Sequence, residues 1–441
     1  MINPEFKRNL WLQFSLHRLI AMPAILALVF FTLSLANDNW PGGVPLDSVA
    51  LILFAGIVCL WGTRNASNTV IDEVRDKTWD QQRMSALDPW TMTWGKLFGA
   101  TAFNWYGGIL CLVVFAIAAL VREHSMILNS VSSGLTLVAL GILMHAATIA
   151  LNLHLMRSDM RAVQRGGIAW AVVLIAVMFA PPFRAAPDAS VLWWGQPFAY
   201  SSFLLASTAF FAAVAVFAAW RSMNSALQIT AIPWAWPLAC CLLTAYVAGF
   251  SGGVGLLWIG LLFSLAMTYV ALFTEENDIA LWQRVVARAK SGNWHGLFQN
   301  LPIWPTTLVL SFCLALLLQF SGGQELPFKL RVTAASLSFL ALTLALMLLR
   351  DCCVYLFFAF SGKSKRVGAT TILYLAIING LLPFLSKVMG LDSLAIFFMP
   401  LHIGNGWVML GIAALHALLA LALLGWRWRQ QALKDELPIL A

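Results

Sequence analysis

The densest run of charge in this sequence is Ile71-Asp72-Glu73-Val74-Arg75-Asp76-Lys77-Thr78-Trp79-Asp80-Gln81-Gln82-Arg83-Met84-Ser85-Ala86-Leu87-Asp88-Pro89-Trp90, with Gly95-Lys96 just beyond it. The chemistry it offers is recognition. Trp79 and Arg83 are one helical turn apart and can face the same way. A tryptophan beside an arginine is the usual make-up of an interface hot spot. Thr78 and Gln81 can form a capping box, so a short helix is expected to start at Thr78. Asp88 can cap a second helix with Pro89 at its first position. A solvated loop whose charges only fix topology would explain the charge but not these paired start signals. Other reactive residue types are dispersed. Ser361-Gly362-Lys363-Ser364 has the end of a phosphate-binding loop, but Phe357 stands where its first glycine is required. His402 and His416 are fourteen residues apart, a spacing that can seat two haem ligands on one helix, while His145 and His154 are only nine apart. They form no matching pair, and packed or interfacial histidines are expected. No catalytic, cofactor-binding or metal-ligating residues emerge.

The elements that must position the charged run are apolar. Of 441 residues, 61% are hydrophobic and 10% charged, against about 25% charged in an ordinary globular domain. Only a bilayer can hide that much apolar surface. Twelve segments can cross as helices: 19–36, 48–62, 98–120, 131–155, 167–183, 200–220, 233–250, 254–274, 303–320, 332–349, 369–386 and 404–426. The first ends Ser34-Leu35-Ala36, faintly like a signal-peptidase site, and is read as a retained span. With both termini inside, twenty-two basic residues are cytoplasmic and five are outside: Arg122, Arg184, Lys329, Arg331 and Lys387. The positive-inside rule selects that orientation, and the net charge of +8 marks a membrane face, not a nucleic-acid site. Several of the twenty tryptophans, among them Trp40, Trp220, Trp426 and Trp428, fall at span ends. Seven cysteines show no metal spacing, and no disulfide framework is expected. The spans so bounded contain no Asp, Glu, Lys or Arg, which argues against an ion-coupled transporter. Ahead of the first span, Asn3 can cap a helix with Pro4 in its first turn. Phe6, Leu10 and Phe14 form a stripe that suits the inner-leaflet interface.

The charged run resembles the coupling-helix region of ATP-binding-cassette (ABC) export permeases of the second class (the ABC-2-type membrane domain). Those show Glu, then Gly-Thr-Leu-Glu, then Leu-Ser-Pro, then Gly-Lys between spans two and three. Here Glu73, Thr78-Trp79-Asp80, Leu87-Asp88-Pro89 and Gly95-Lys96 stand in the same order. Lys77 replaces Gly, Trp79 replaces Leu, Asp80 replaces Glu and Asp88 replaces Ser. An interfacial N-terminal helix fits as well, so the resemblance covers residues 1–125. It implies a permease in the cytoplasmic (inner) membrane, with Glu73, Arg75, Trp79, Asp80, Arg83, Leu87, Asp88 and Pro89 facing a separate ATPase subunit. That partner would hold ATP and Mg, and this chain would hold no cofactor. Family substrates are mostly hydrophobic or amphipathic molecules and lipids.

The second half, 233–426, holds six of the segments, as does 1–222, and 427–441 reads as a cytoplasmic tail. Asp278 can cap a helix with Trp282, Val285, Val286 and Ala289 on one face and Arg284 and Arg288 on another. Asp278, Trp282, Arg284 and Arg288 are the coupling candidates of that half. Its Leu-Ser-Pro-like element is missing, replaced by Leu301-Pro302-Ile303. A parallel repeat and two unrelated basic loops both account for this. The expected fold class is all-α, a polytopic membrane protein of about twelve transmembrane helices, as a single-chain pseudo-dimer or a homodimer. The expected function is the permease of an ATP-driven exporter. A secondary transporter is opposed by the charge-free spans. An integral membrane enzyme acting on a lipid-linked substrate is opposed by the scatter of the outside acids Asp38, Asp47, Glu123, Asp188, Glu325 and Asp392.

Overall fold

The computed structural model describes residues 3–39, 45–85, 87–122, 127–158, 172, 189–229, 233–275, 277–321, 334–361, 366–400 and 405–436. Segment 167–183, apart from Val172, lies outside these residues. So do Arg161 and Arg165, most of Ser361–Ser364, His402 and the last five residues of the tail. The chain divides into two compact units, Met1–Val191 with Pro197–Thr230, and Leu192–Gln196 with Ala231–Ala441.

In the first unit, α1 (Pro4–Gln13) precedes α2 (Leu16–Asn39). Helix α3 (Leu46–Phe54) runs through a π-helical stretch, Ala55–Gly62, into α4 (Thr63–Arg75). The short α5 (Trp79–Arg83) and α6 (Pro89–Trp94) follow, and a second π-helical stretch, Gly95–Gly99, leads into α7 (Ala102–Arg122). Helices α8 (Ile127–Ser158) and α9 (Tyr200–Ala226) pack along each other more extensively than any other pair. Just before α9 in the chain, two short strands, Ser190–Trp193 and Gln196–Ala199, pair with each other; their Leu192–Gln196 portion counts with the second unit.

The second unit holds α10 (Ala235–Gly249), α11 (Leu256–Thr274), α12 (Ile279–Lys290), α13 (Trp294–Asn300) and α14 (Trp304–Phe320). It continues with α15 (Ala334–Ala359), α16 (Val367–Ala376), a π-helical stretch at Ile377–Leu381, α17 (Leu382–Val388), α18 (Asp392–Phe398) and α19 (Gly406–Glu436). Its most extensive pairing is α15 with α19.

Among the described residues, nine helices are long and apolar enough to cross a membrane, or ten if the pair α13 and α14, bent by 100°, forms one span. Segment 233–250 forms only the 15-residue α10, so twelve crossings are not established. The chain is an all-α polytopic membrane protein.

One expectation is overturned. The apolar run read as ending at Leu349 belongs to a helix continuing to Ala359. Arg350 and Asp351 therefore lie inside the candidate span Phe339–Ala359. The expectation fails because hydropathy ends a span at the first charge, whereas a buried ion pair lets a helix continue.

The π-helical stretch Ala55–Gly62 gives two polar side chains of the first unit their partners. A π turn breaks the regular ladder and leaves carbonyls for other donors. Asn104 Nδ2 donates to Ile57 O at 2.9 Å, and His145 Nε2 lies 2.9 Å from Val58 O. A carbonyl only accepts, so His145 carries its proton on Nε2 in this contact. Asn65 Nδ2 donates to Asn104 Oδ1, and Asn152 Nδ2 to Ser67 Oγ. These polar groups join helices.

Candidate functional site

The charged segment folds back onto the start of the third candidate span. Asp88 caps α6 as expected, its Oδ2 accepting from Trp90 N and Thr91 N at 3.0 and 3.2 Å, with Pro89 at the first position. Asn3 caps α1, its Oδ1 accepting from Glu5 N and Phe6 N, and its amide donates to Thr91 O at 2.7 Å. The capping box does not form. Helix α5 begins at Trp79, but the Thr78 hydroxyl donates back to Glu73 O at 3.3 Å. The reason lies in the turn before it. Lys77 has φ 59°, in the left-handed region that favours glycine. That turn carries Thr78 back toward the end of α4. Lys77 occupies the position where the resembled motif has glycine.

At the centre is Lys96, fully buried. Its Nζ donates to both carboxylate oxygens of Glu73, at 2.6 Å for Oε2, and to Gln82 Oε1 at 3.1 Å. Glu5 Oε1 lies 3.5 Å away. Arg8 Nη2 bridges the two acids, 2.9 Å from Glu5 Oε1 and 3.1 Å from Glu73 Oε1. Gln82 Nε2 donates to Glu73 Oε1 at 2.6 Å, and Asn9 Nδ2 to Glu5 Oε1 at 3.0 Å. Lys96 Nζ also sits 5.9 Å from the centre of the Trp79 ring, within cation–π range. Two acids and two bases balance in charge. Each buried acid takes several donors, as buried charge requires.

Glycines let the elements approach. A Cβ on Gly95 would stand 2.5 Å from Glu5 Cγ and 2.9 Å from Phe6 N, and one on Gly99 would stand 2.9 Å from Asn9 Cβ. The pair, four residues apart, forms the small-residue seam that receives α1. The buried edge of α1 is therefore Glu5 and Asn9, while Phe6 and Leu10 are half-buried and Phe14, just past the helix end, packs edge-on against Phe103 and Tyr106. Trp11 and Leu12 remain 79% and 62% exposed. The Gly95 seam selects the edge, because only there do the Glu5 and Asn9 side chains meet donors and acceptors.

The predicted site residues thus separate. Glu73 and Trp79 point inward, Trp79 into an apolar cluster with Ile71, Val74, Met92 and Leu97. Leu87 packs half-buried on that cluster and Pro89 is buried. Arg75, Asp80, Arg83 and Asp88 are exposed, Arg75 lying 3.5 Å from Asp72 and Arg83 4.0 Å from Asp80. Sequence reasoning missed Glu5, Arg8, Asn9, Gln82 and the role of Lys96. The signal for Lys96 was a lysine just inside an apolar run. It also missed Met84, which is 87% exposed on the segment's outer side.

In the second unit, Asp278 caps α12, accepting from Leu281 N at 2.9 Å. Trp282 faces inward, its ring 5.7 Å from that of Trp304. Arg284 is exposed, and Arg288 Nη1 donates to Gly296 O at 2.7 Å, tying α12 to α13. Glu275 Oε2 accepts from Ile303 N at 2.7 Å, and Asn277 Oδ1 from Trp304 Nε1 at 2.8 Å. An acid after one span again meets the base of the next, here through neutral donors.

Fold and site together define a polytopic helical membrane protein with a buried, charge-balanced junction beside an exposed charged segment. No family model, curated protein or solved structure matches the chain.

Proposed function

We propose that this chain is the permease subunit of an ATP-driven exporter, and that its exposed segment Asp80–Asp88 docks on a separate ATPase subunit that binds ATP and Mg. The observation that carries the reading is the Lys96 junction. Displacement of α5 acts directly on Glu73, Gln82 and Trp79. Through Lys96 and Glu5 it reaches the base of the third candidate span and α1. Such a linkage transmits motor closure to membrane helices, and a simple topogenic loop has no need of it. The exported molecule would be hydrophobic or amphipathic, and the two units would serve as the two halves of a pseudo-dimeric path.

The chain is expected to copurify with a nucleotide-binding subunit from its native membrane and to hydrolyse no ATP alone. Specific hydrolysis by the purified polypeptide would refute the reading. The segment is also expected to be cytoplasmic. A single cysteine introduced as Asp80→Cys should react with an impermeant maleimide only after permeabilisation, and reaction in intact cells would remove both orientation and docking.

The buried pair Arg350–Asp351 supports a second reading, an ion-coupled transporter. Uptake into everted vesicles separates the two. Export requires ATP and survives collapse of the proton gradient, whereas ion coupling shows the reverse.

A further inference from the structure

Helices α11 and α15, the π-helical stretch before α17 and the end of α18 line a half-open cavity of about 210 Å³ in the second unit. Leu265, Leu344, Met347 and Met399 form its apolar wall, and Tyr269, Asp351 and Asn379 its polar wall. Arg350 stands behind that wall without lining the cavity. Its Nε and Nη2 lie 2.8 and 2.7 Å from Asp351 Oδ1, and Nη2 donates to Asn379 Oδ1 at 3.0 Å. The Tyr269 hydroxyl donates to Asp351 Oδ2 at 2.6 Å. Both members of the ion pair are 6% exposed. Arg350 Nη1 has no hydrogen-bond partner among the described residues.

We propose that this cavity binds small lipophilic amines, with the ammonium group held at Asp351. The Arg350–Asp351 pair is a dipole whose negative end faces the cavity, because the carboxylate lines it and the guanidinium does not. The free valences on the polar wall are mainly acceptors. Tyr269 has spent its proton on Asp351, leaving its oxygen and its ring face. Asp351 Oδ2 accepts from one donor and has capacity for another. Only the Asn379 amide can donate. An anionic head would meet a carboxylate in a low-dielectric site, and a neutral alcohol would forgo the charge. The volume exceeds an engineered cavity of about 150 Å³ that holds benzene, so one ring with a short amine arm fits. Thioethers of Met347 and Met399 adapt to varied shapes. Asn379 sits on a π-helical stretch, a common device for aiming a side chain into a site.

The test uses the purified full chain in phosphatidylcholine nanodiscs, with radiolabelled phenethylamine as the probe in equilibrium dialysis. Saturable binding is expected, displaced by unlabelled phenethylamine, about tenfold less well by phenylethanol, and not by phenylacetate. Leu344→Trp should fill the cavity and abolish binding while leaving the melting temperature unchanged. Asp351→Asn should weaken binding by about tenfold or more. Uptake equal to that of empty nanodiscs, competition by phenylacetate as strong as by the amine, or unaltered binding in Leu344→Trp would overturn the proposal. If Asp351→Asn fails to fold, Leu344→Trp and the competitor series decide it. No ATPase takes part, so the outcome bears on this cavity alone and leaves the exporter reading to its own tests.

Discussion

Lys96→Met is expected to destabilise the first unit by about 3–5 kcal/mol, the usual cost of removing one partner from a buried ion pair. The lysine is fully buried and donates to both oxygens of Glu73. Without it, Glu5 and Glu73 share the single positive charge of Arg8. Water reaches the acids only past Arg8 and Gln82, because Trp79 and the neighbouring apolar cluster cover the other side, so the lost donor is replaced only in part. The measurement is the thermal midpoint of the detergent-solubilised chain, read by size-exclusion profile. A second variant separates charge from packing. Lys96→Met with Glu73→Leu leaves Glu5 paired with Arg8 and restores charge balance, so most of the midpoint should return. Apolar replacement of a whole buried pair is often neutral. A single variant that melts like the wild type would show that the junction stores no such energy, and the transmission path would lose its physical basis.

Arg83→Glu should release the motor subunit while the chain still inserts and folds. Arg83 lies at the surface, and its one ionic neighbour among the described residues, Asp80, is 4.0 Å away on an 83% exposed side chain. Exposed pairs of this kind contribute little to stability. Its reversal therefore leaves the junction intact, whereas changes at Glu73 or Trp79 would not. At a docked surface the reversal places a charge against its former complement, which costs several kcal/mol and removes the complex at ordinary concentrations. The variant should reach the membrane at normal levels and fail to retain the nucleotide-binding subunit in a pull-down. Met84→Asp, on the same outer side, should act likewise. Retention of the subunit with full transport-coupled hydrolysis by both variants would reduce the segment to a topogenic loop.

Composition alone determined that this protein lives in a membrane, because no soluble core can bury so apolar a chain. Local sequence also determined helix starts, since a cap is a contact between near neighbours: Asn3, Asp88 and Asp278 each cap as their spacing predicts. Tertiary structure decided which groups face inward. The same spacing that puts Trp79 and Arg83 on one helix allows either side to be buried, and the buried side was chosen by Lys96 and the apolar cluster behind it. Likewise α1 buries Glu5 and Asn9, because Gly95 and Gly99, about ninety residues away, open a groove that only small residues allow. The span containing Arg350 and Asp351 was illegible for a related reason. A charge ends a hydropathy window, yet once the helices meet Asp351 neutralises Arg350, Asn379 accepts from it, and Tyr269 donates to Asp351. Burial of charge is a property of the assembled helices, and no single segment of sequence carries it.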